Sequence, residues 1–585
     1  MANGFGSLFI GVSGLQSSQN GLNTTANNLS NIDTKGYVRQ RVFYSDRDYI
    51  TFNQTAAVSK QQSGLGVKIG DVRHTRDVFL DKSYRSTYGR YQFYDKTAEA
   101  SREVETYFQE LEGKAFQEGL EDLWISFEEL SKYPEDSVYQ ELVIQKSQLF
   151  ISRASAVYSG LQTYQYNINT QIEDNIDRMN ELGKFIDECN MAIKKIETAG
   201  IETAMTLRDE RDKALDELAG LVELDYYETA DGILKISIDS VEFVNENGYN
   251  HIGMRKDPST GFVDPYWEFL SDPKKNQYTD VMDFRRDISP ENQNDKGSLK
   301  ALILARGDHV ADYRDIEGLT QKEYNDNAGM SVMLKAEAMI DQLIHKIVTS
   351  VNDIFAPNTA ASDYIQNWDA NGTATLKGPD GKDIVINKNT LILDADNCPV
   401  GSDKKLPPRE LFTRIGCDRY TEATDENGNV YYIYNEEDLT DSKNMYTIRS
   451  LSVNKELLVD ETLMPHLMQN QNGDMVAVDA IQKLSDIWEQ KDFYLNPNDL
   501  RPIDFKSYYI SMSNDMATFG NVYEATADSL ADGSLSTDNA RQQVIGVSAD
   551  EELVTMIKFQ NAYNAASRFI NVINEMIEHL ITQLG

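Results

Sequence analysis

The side chains of this sequence that could do chemistry are few and scattered. His74, His251, His309, His345, His466 and His579 are dispersed along the chain. None stands in the His-Glu-x-x-His spacing that puts two zinc ligands on one helix face. Cys189, Cys398 and Cys417 have neither metal-ligand spacing nor the even count of a disulfide framework, and a Cys398–Cys417 bridge stays open. Asp369-Ala370-Asn371-Gly372 and Asp425-Glu426-Asn427-Gly428-Asn429 carry carboxylates as calcium loops do. Both lack the alternating ligand series and the closing glutamate, so they read as hairpin turns. No nucleophile elbow, P-loop or dinucleotide fingerprint follows a strand pattern. Arg208, Asp209, Arg211 and Asp212 crowd four charges onto one helix pattern and read as a structural ion-pair cluster. The expectation is a chain without catalytic residues, metal or cofactor.

The regular spacing lies instead at the two ends. Met556, Phe559, Tyr563, Ala566, Ile570, Ile573, Ile577, Leu580 and Leu584 alternate steps of three and four, the seam of a coiled coil. Ser548, with Glu551 three residues on, predicts a capping box at its start. Phe5, Leu8, Val12, Leu15, Gln19, Leu22, Ala26 and Leu29 repeat the same steps, with only Gln19 polar. Gly36 and Tyr37, with Ile32, predict a Schellman stop. A seam of this kind needs a partner, so the first helix is expected to pair with the last. One such pair is marginal alone, and neighbouring copies are expected to complete it.

These ends also carry a resemblance. ANNLSNIDTKGYVRQRV (Ala26–Val42) resembles the N-terminal signature of the bacterial flagellar axial proteins, the rod, hook and hook-associated subunits. GVSADEELVTMIKFQNAYNAASRFINVINEMIEHLI (Gly546–Ile581) resembles their C-terminal signature, and TLRDERDKALDELAGLVELDYYE (Thr206–Glu228) is similar to an internal helix and strand of the hook-associated members. Residues 357–480 carry no resemblance. The resemblance implies a structural subunit at the hook–filament junction, in which Asn27, Asn28, Asn31, Gly36 and Tyr37 form the signature turn and the two seams drive assembly. It implies as partners a ring of further copies, the hook protein, hook-associated protein 3 and through it flagellin, and an export chaperone, FlgN, on the C-terminal helix. It also implies type III export to the flagellum without a cleaved signal peptide. Two other readings stay open: another axial subunit such as the hook protein, or an extracellular binding protein or enzyme active in 357–480.

Composition agrees with a large assembly of globular parts. The 585 residues are 40% hydrophobic and 26% charged, with a net charge of −38. That balance argues against nucleic acid and against anionic membranes. No apolar run reaches the length of a membrane span, and no Lys or Arg precedes Lys35, so no secretory signal is read.

The expected fold is mainly α with β subdomains. Residues 1–80 with 535–585 form a terminal coiled coil and connector. Residues 81–220 with 296–356 and 481–534 form a long-helix rod. Residues 221–295 form a small β domain around an Asp231-Gly232 hairpin, and 357–480 an inserted, outer, mostly-β domain. Within the rod, a helix over roughly 137–198 would span about 90 Å, with Gly183 its weak point.

Overall fold

The computed structural model describes residues 2–34, 36–47, 50–53, 61–109, 116–198, 203–284, 286, 288–469, 475–477 and 480–584. The turn read at Asn472-Gly473, the helix end read at Gly200, and Lys35 lie outside them. Helix α1 (Ala2–Ser30) leads into a connector whose strands Gln40–Asp46 and Val67–His74 pair antiparallel around a bulge. The rod then begins with α2 (Val78–Gln109), α3 (Phe116–Lys132), α4 (Ser137–Glu197) and α5 (Met205–Leu221). Asp77 accepts from the N–H groups of Phe79 and Leu80, which fixes the start of α2 at Val78. Asp136 caps α4 by accepting from the Val138 N–H, just after the break at Pro134.

α4 is the spine. Its 61 residues are continuous, and Ile172, Ile176, Met179, Leu182, Ile186, Cys189 and Ile193 are all buried, while Ile196 lies at the edge. Gly183 does not interrupt it, because the Phe243 ring packs where a Cβ would stand. Strands Leu224–Glu228, Leu234–Ile238, Val241–Asn245 and Gly248–Tyr249 form a meander on this face, and the hairpin Ile252–Lys256 with Val263–Trp267 lies beside it. Gly232, at φ +79°, makes the expected tight turn. Three asparagines of α4 finish the strand edges. Asn180 donates to the Ile252 carbonyl and accepts from its N–H. Asn190 does the same for Leu234, and Asn169 accepts from the Val263 N–H. Side-chain amides thus stand in for a neighbouring strand and leave those buried backbone groups satisfied.

α6 (Ser298–Arg306), α7 (Gln321–Asp326) and α8 (Val332–Phe355) follow. α8 is buried along almost its whole length, which makes it the centre of the rod's core. The region expected as one insertion, 357–480, divides in two. Asn358–Ala360, Leu391–Leu393, Val430–Tyr434, Tyr420–Thr424, Thr373–Lys377 and Asp383–Asn387 form a six-stranded antiparallel sheet, with α9 (Ala361–Tyr364) against it and a small core of its own. Phe412, Tyr446, Ile448, Leu451, Val453 and Met464, with Leu457 of α10 (Lys455–Val459), belong to the core of the rod. All three cysteines are free.

α11 (Ala480–Asp486) leads to α12 (Phe505–Ile545), which lies along α2. The boundary expected at 535 therefore falls inside this helix, which runs on to Ile545. α2 supplies a partner surface for that whole length, through Tyr94 against Tyr523 and Arg541 4.0 Å above the Tyr84 ring. α13 (Ala549–Leu584) closes the chain.

Three buried carboxyls pin loops onto α8. Glu337 accepts from the Ala311 N–H, Asp341 from the N–H groups of Tyr313 and Ile448, and Glu410 from Asn352 and Tyr446. Burial raises all three, Glu337 to about 8 and Asp341 and Glu410 to about 7. The sign follows from linkage. A carboxyl that keeps its proton in the fold but loses it in the unfolded chain costs stability as pH rises from the unfolded value. For Glu337 the penalty starts near 4.5 and is complete above about 8. The Glu337→Gln variant keeps the acceptor for Ala311 and escapes the penalty. In urea unfolding it is expected to match the wild type near pH 4.5 and to exceed it at pH 8.5 by on the order of a few kcal/mol. A constant difference across that range refutes this assignment.

Candidate assembly surface at the chain termini

α1 and α13 pack antiparallel in a heptad register. Asn28 meets Glu552, the Gly21 backbone faces Phe559, and Gly14 faces Ala566. Each step of seven along α1 is matched by seven back along α13. Met556, Phe559, Tyr563, Ala566, Ile570, Ile573 and Ile577 of α13 are all half-buried. Leu580 is 54% exposed, and the Leu584 side chain lies outside the described residues.

The other half of the contact differs from the expected apolar seam. The buried row of α1 is Gly11, Ser18, Gly21, Thr25 and Asn28, with Gly14 half-buried. Leu8, Leu15, Leu22 and Leu29 flank it half-buried, whereas Val12 and Ala26 are exposed; the Phe5 side chain lies outside the described residues. Small residues let the backbones approach, so the large knobs of α13 sit against the α1 main chain. A Cβ on Gly21 would stand 2.7 Å from Phe559 Cε1, and one on Gly11 2.7 Å from Ile570 Cγ1. The buried hydroxyls are satisfied within the helix, Ser18 donating to the Gly14 carbonyl and Thr25 to that of Gly21.

A polar lock closes the inner end of the pair. α1 stops at Ser30 rather than near Gly36, because the Asn28 side chain captures the returning chain. Asn28 donates to Glu552 and to the Gln40 carbonyl, and accepts from the Gln40 N–H and the Tyr37 hydroxyl. Gly36, at φ +89°, turns the chain after the helix. Asn31 donates to Asn27 on the surface and accepts from the Thr34 hydroxyl. Arg39 pairs with both Glu551 and Glu552 at 2.7 Å. The expected capping box is therefore half made: Ser548 Oγ accepts from the Glu551 N–H at 3.5 Å, while the Glu551 carboxylate goes to Arg39.

From this lock a charged joint runs into the rod. Asp209 of α5 accepts from the Val38 N–H and lies 3.3 Å from His74 Nδ1. Arg76 pairs with Asp209 and Asp212, Arg85 with Asp212 and Asp216, and Arg541 with Asp216. Burial outweighs the pull of Arg76 and holds Asp209 up at about 7, and burial next to Arg76 and Arg208 holds His74 down at about 4. Of the charges read as a cluster on one helix, Asp209 and Asp212 thus bind outward, to the connector and α2, and Asp216 one turn on reaches α12. Arg208 and Arg211 turn the other way, to Glu197, Glu228 and Asn190.

The outer face of the pair is apolar and bare. Val554, Ile557, Val572, Met576 and Ile581 project from α13 away from α1, each more than half exposed, while the edge of the Phe569 ring turns toward Gly11 of α1. Among the described residues no group of His, Cys, Asp and Glu could hold a metal, and no helix is long and apolar enough to cross a membrane.

Comparison with known proteins places these features. Residues 101–363 match the helical domain of the flagellar hook-associated protein FlgK. Residues 543–584 match the flagellar basal body rod FlgEFG protein C-terminal family, and residues 8–37 the flagella basal body rod protein family. Flagellar hook-associated protein 1 of Bacillus subtilis is 23% identical over 589 residues, covering 98% of this chain and 96% of its own. The protein of that name in Escherichia coli is 22% identical, covering 97% and 98%. The chain is thus similar to flagellar hook-associated protein 1 along almost its whole length. The hook junction protein FlgK of Burkholderia pseudomallei aligns over 80% of this chain and all of its own at 12% identity, with a TM-score of 0.47.

Sequence reasoning missed Arg39, Glu552 and the small-residue row. A heptad of glycine and serine at 11, 14, 18 and 21 was the available signal, hidden by attention to large apolar residues. The two glycines nearest the seam make opposite predictions. Gly14→Ala places a Cβ 3.6 Å from Ala566, an ordinary contact, and gains about 1 kcal/mol of helix propensity. Gly21→Ala drives a Cβ into Phe559 and the Tyr44 hydroxyl, at about 1–3 kcal/mol for overpacking. Amide exchange across residues 2–30 and 549–584 should slow in the first variant and quicken in the second. Equal behaviour removes the close approach from the account.

Proposed function

We propose that this chain is a structural subunit of the bacterial flagellum that joins hook to filament through its terminal helices. The observation that carries this reading is the α13 helix with two apolar faces. One is covered by α1, and the other has no cover in a single chain. An apolar row of that length costs exposure to water until another surface meets it. Here the second surface is a neighbouring copy, in a ring or tube of such pairs. The hook protein lies on one side of that ring, and hook-associated protein 3, leading to flagellin, on the other. Type III export without a cleaved signal delivers the subunit. The rod gives the terminal pair a rigid mount, and the six-stranded sheet, with its separate core, faces outward.

The two faces can be tested separately. Ile573→Asp with Ile577→Asp puts two carboxylates against α1 and should split the pair. Val572→Asp with Met576→Asp charges the bare face alone and should leave the pair and the thermal unfolding intact. Both are expected to give hooks without filaments and flagellin in the medium, while Asn571→Asp with Gln583→Glu assembles. Normal filaments from the Val572/Met576 variant, seen by electron microscopy, eliminate the bare face as an assembly surface.

Before export, the same helix needs a guard, and FlgN is the proposed one. Phe559 and Ile570 lie against α1, so the chaperone would take the place of α1 as well as cover the outer row. A peptide of residues 546–585 should bind FlgN in a pull-down, and Phe559→Asp with Ile570→Asp should weaken it. Undiminished binding by the changed peptide rejects this role.

A further inference from the structure

Beside the charged joint lies a cleft of about 450 Å³. Its walls come from four separate elements: the connector after His74, the first turns of α2, the start of α5, and the hairpin of the small β domain. The lining carries five full positive charges, Arg73, Arg76, Lys82, Arg85 and Arg208, against three carboxylates, Asp81, Asp212 and Glu228. Behind this lining stand Asp209, Asp216 and Glu197, which pair with Arg76, Arg85 and Arg208.

The hydrogen-bond ledger of this cleft does not close. Arg76 Nε is buried and finds no hydrogen-bond acceptor among the described residues, and Arg85 Nη2 and the Tyr226 hydroxyl, buried beside it, have no hydrogen-bond partner beyond each other. Arg85 Nη2 has a 3.6 Å ion pair with Asp212, and its guanidinium lies over the Tyr226 ring at 4.8 Å. Buried donors without acceptors are costly and rare, and Arg76 Nε together with the under-satisfied Arg85–Tyr226 pair points to an acceptor from outside. A smaller cleft of about 170 Å³ shares Lys82, Arg85 and Tyr226, so the same donors are approachable from two sides. The arrangement of planar guanidinium groups, one ammonium and one phenol suits a compact group with several oxygens.

We propose that this cleft is a binding site for a small oxyanion, a phosphate group or a carboxylate. Bound there, the oxyanion bridges the connector, α2 and α5, and stiffens the joint between the terminal pair and the rod. The ligand comes either from solution, as a phosphate compound, or from the acidic side chains of a neighbouring copy, and the two differ in what the isolated chain will bind.

The test is calorimetric titration of the full chain with sodium phosphate and with sodium succinate, each against sodium chloride at matched ionic strength. Two variants accompany the wild type. Lys82→Glu changes an exposed residue on the rim, and Tyr226→Phe removes only a hydroxyl whose neighbour, Arg85, keeps its ion pairs with Asp212 and Asp216. Both should unfold at the wild-type temperature in chloride. The wild type should bind saturably at one site, Lys82→Glu about tenfold more weakly and Tyr226→Phe a few-fold more weakly. Phosphate binding without succinate binding assigns the site to a phosphate compound. Binding of succinate as well assigns it to carboxylates of a neighbouring copy. Absence of saturable binding above chloride, or equal binding by all three proteins, overturns the proposal.

Discussion

The carboxylate of Glu552 is 2% exposed, and a buried charge of that kind is tolerable only when it is paired and hydrogen-bonded. Both of its partners, Asn28 and Arg39, come from the opposite end of the chain. The meeting of the two termini is therefore imposed by charge as well as by apolar area. Once Asn28 sits on Glu552, the antiparallel register is set, and the heptad steps carry Gly21 to Phe559, Gly14 to Ala566 and Gly11 to Ile570. Removing the carboxylate would leave an arginine and an amide without their acceptor at the point where helix, turn and connector converge.

The same requirement, that no polar group be stranded, organises the rod. A single helix of 61 residues cannot by itself hold a β meander in register. Asn169, Asn180 and Asn190 do so by acting as short pieces of strand. Their spacing of eleven and ten residues, close to three helical turns, keeps them on one face of α4. Asp341 plays the corresponding part on α8, where it joins the Tyr313 loop to the Ile448 segment. These contacts specify position and contribute little net stability, because the raised carboxyls cost energy when they ionise.

Between lock and rod lies the joint of alternating arginine and aspartate. It is fed by the connector, α2, α5 and α12, so the orientation of the terminal pair depends on charges from four directions. An interface of this kind can be stiff without a large apolar core. It also accounts for Asp209, whose carboxylate links the connector backbone at Val38 to Arg76 and, through it, to the rod.

Much of this was legible along the chain. The alternating seam of α13 names half-buried positions up to Ile577, because one helix face is a one-dimensional property of spacing. The long α4 and the Asp231-Gly232 turn are likewise local. The face α1 uses was not legible: large apolar residues predict the buried side only when the neighbour is distant enough to need them, and here the neighbour comes within glycine distance. Nor did the sequence reveal that Arg39 would claim Glu551 from its cap, that Asp209 would bind a strand rather than its own helix, or that 357–480 would split between two cores. Each of these depends on which groups arrive from far away in the chain, and burial leaves a polar group no choice but to bond with what arrives.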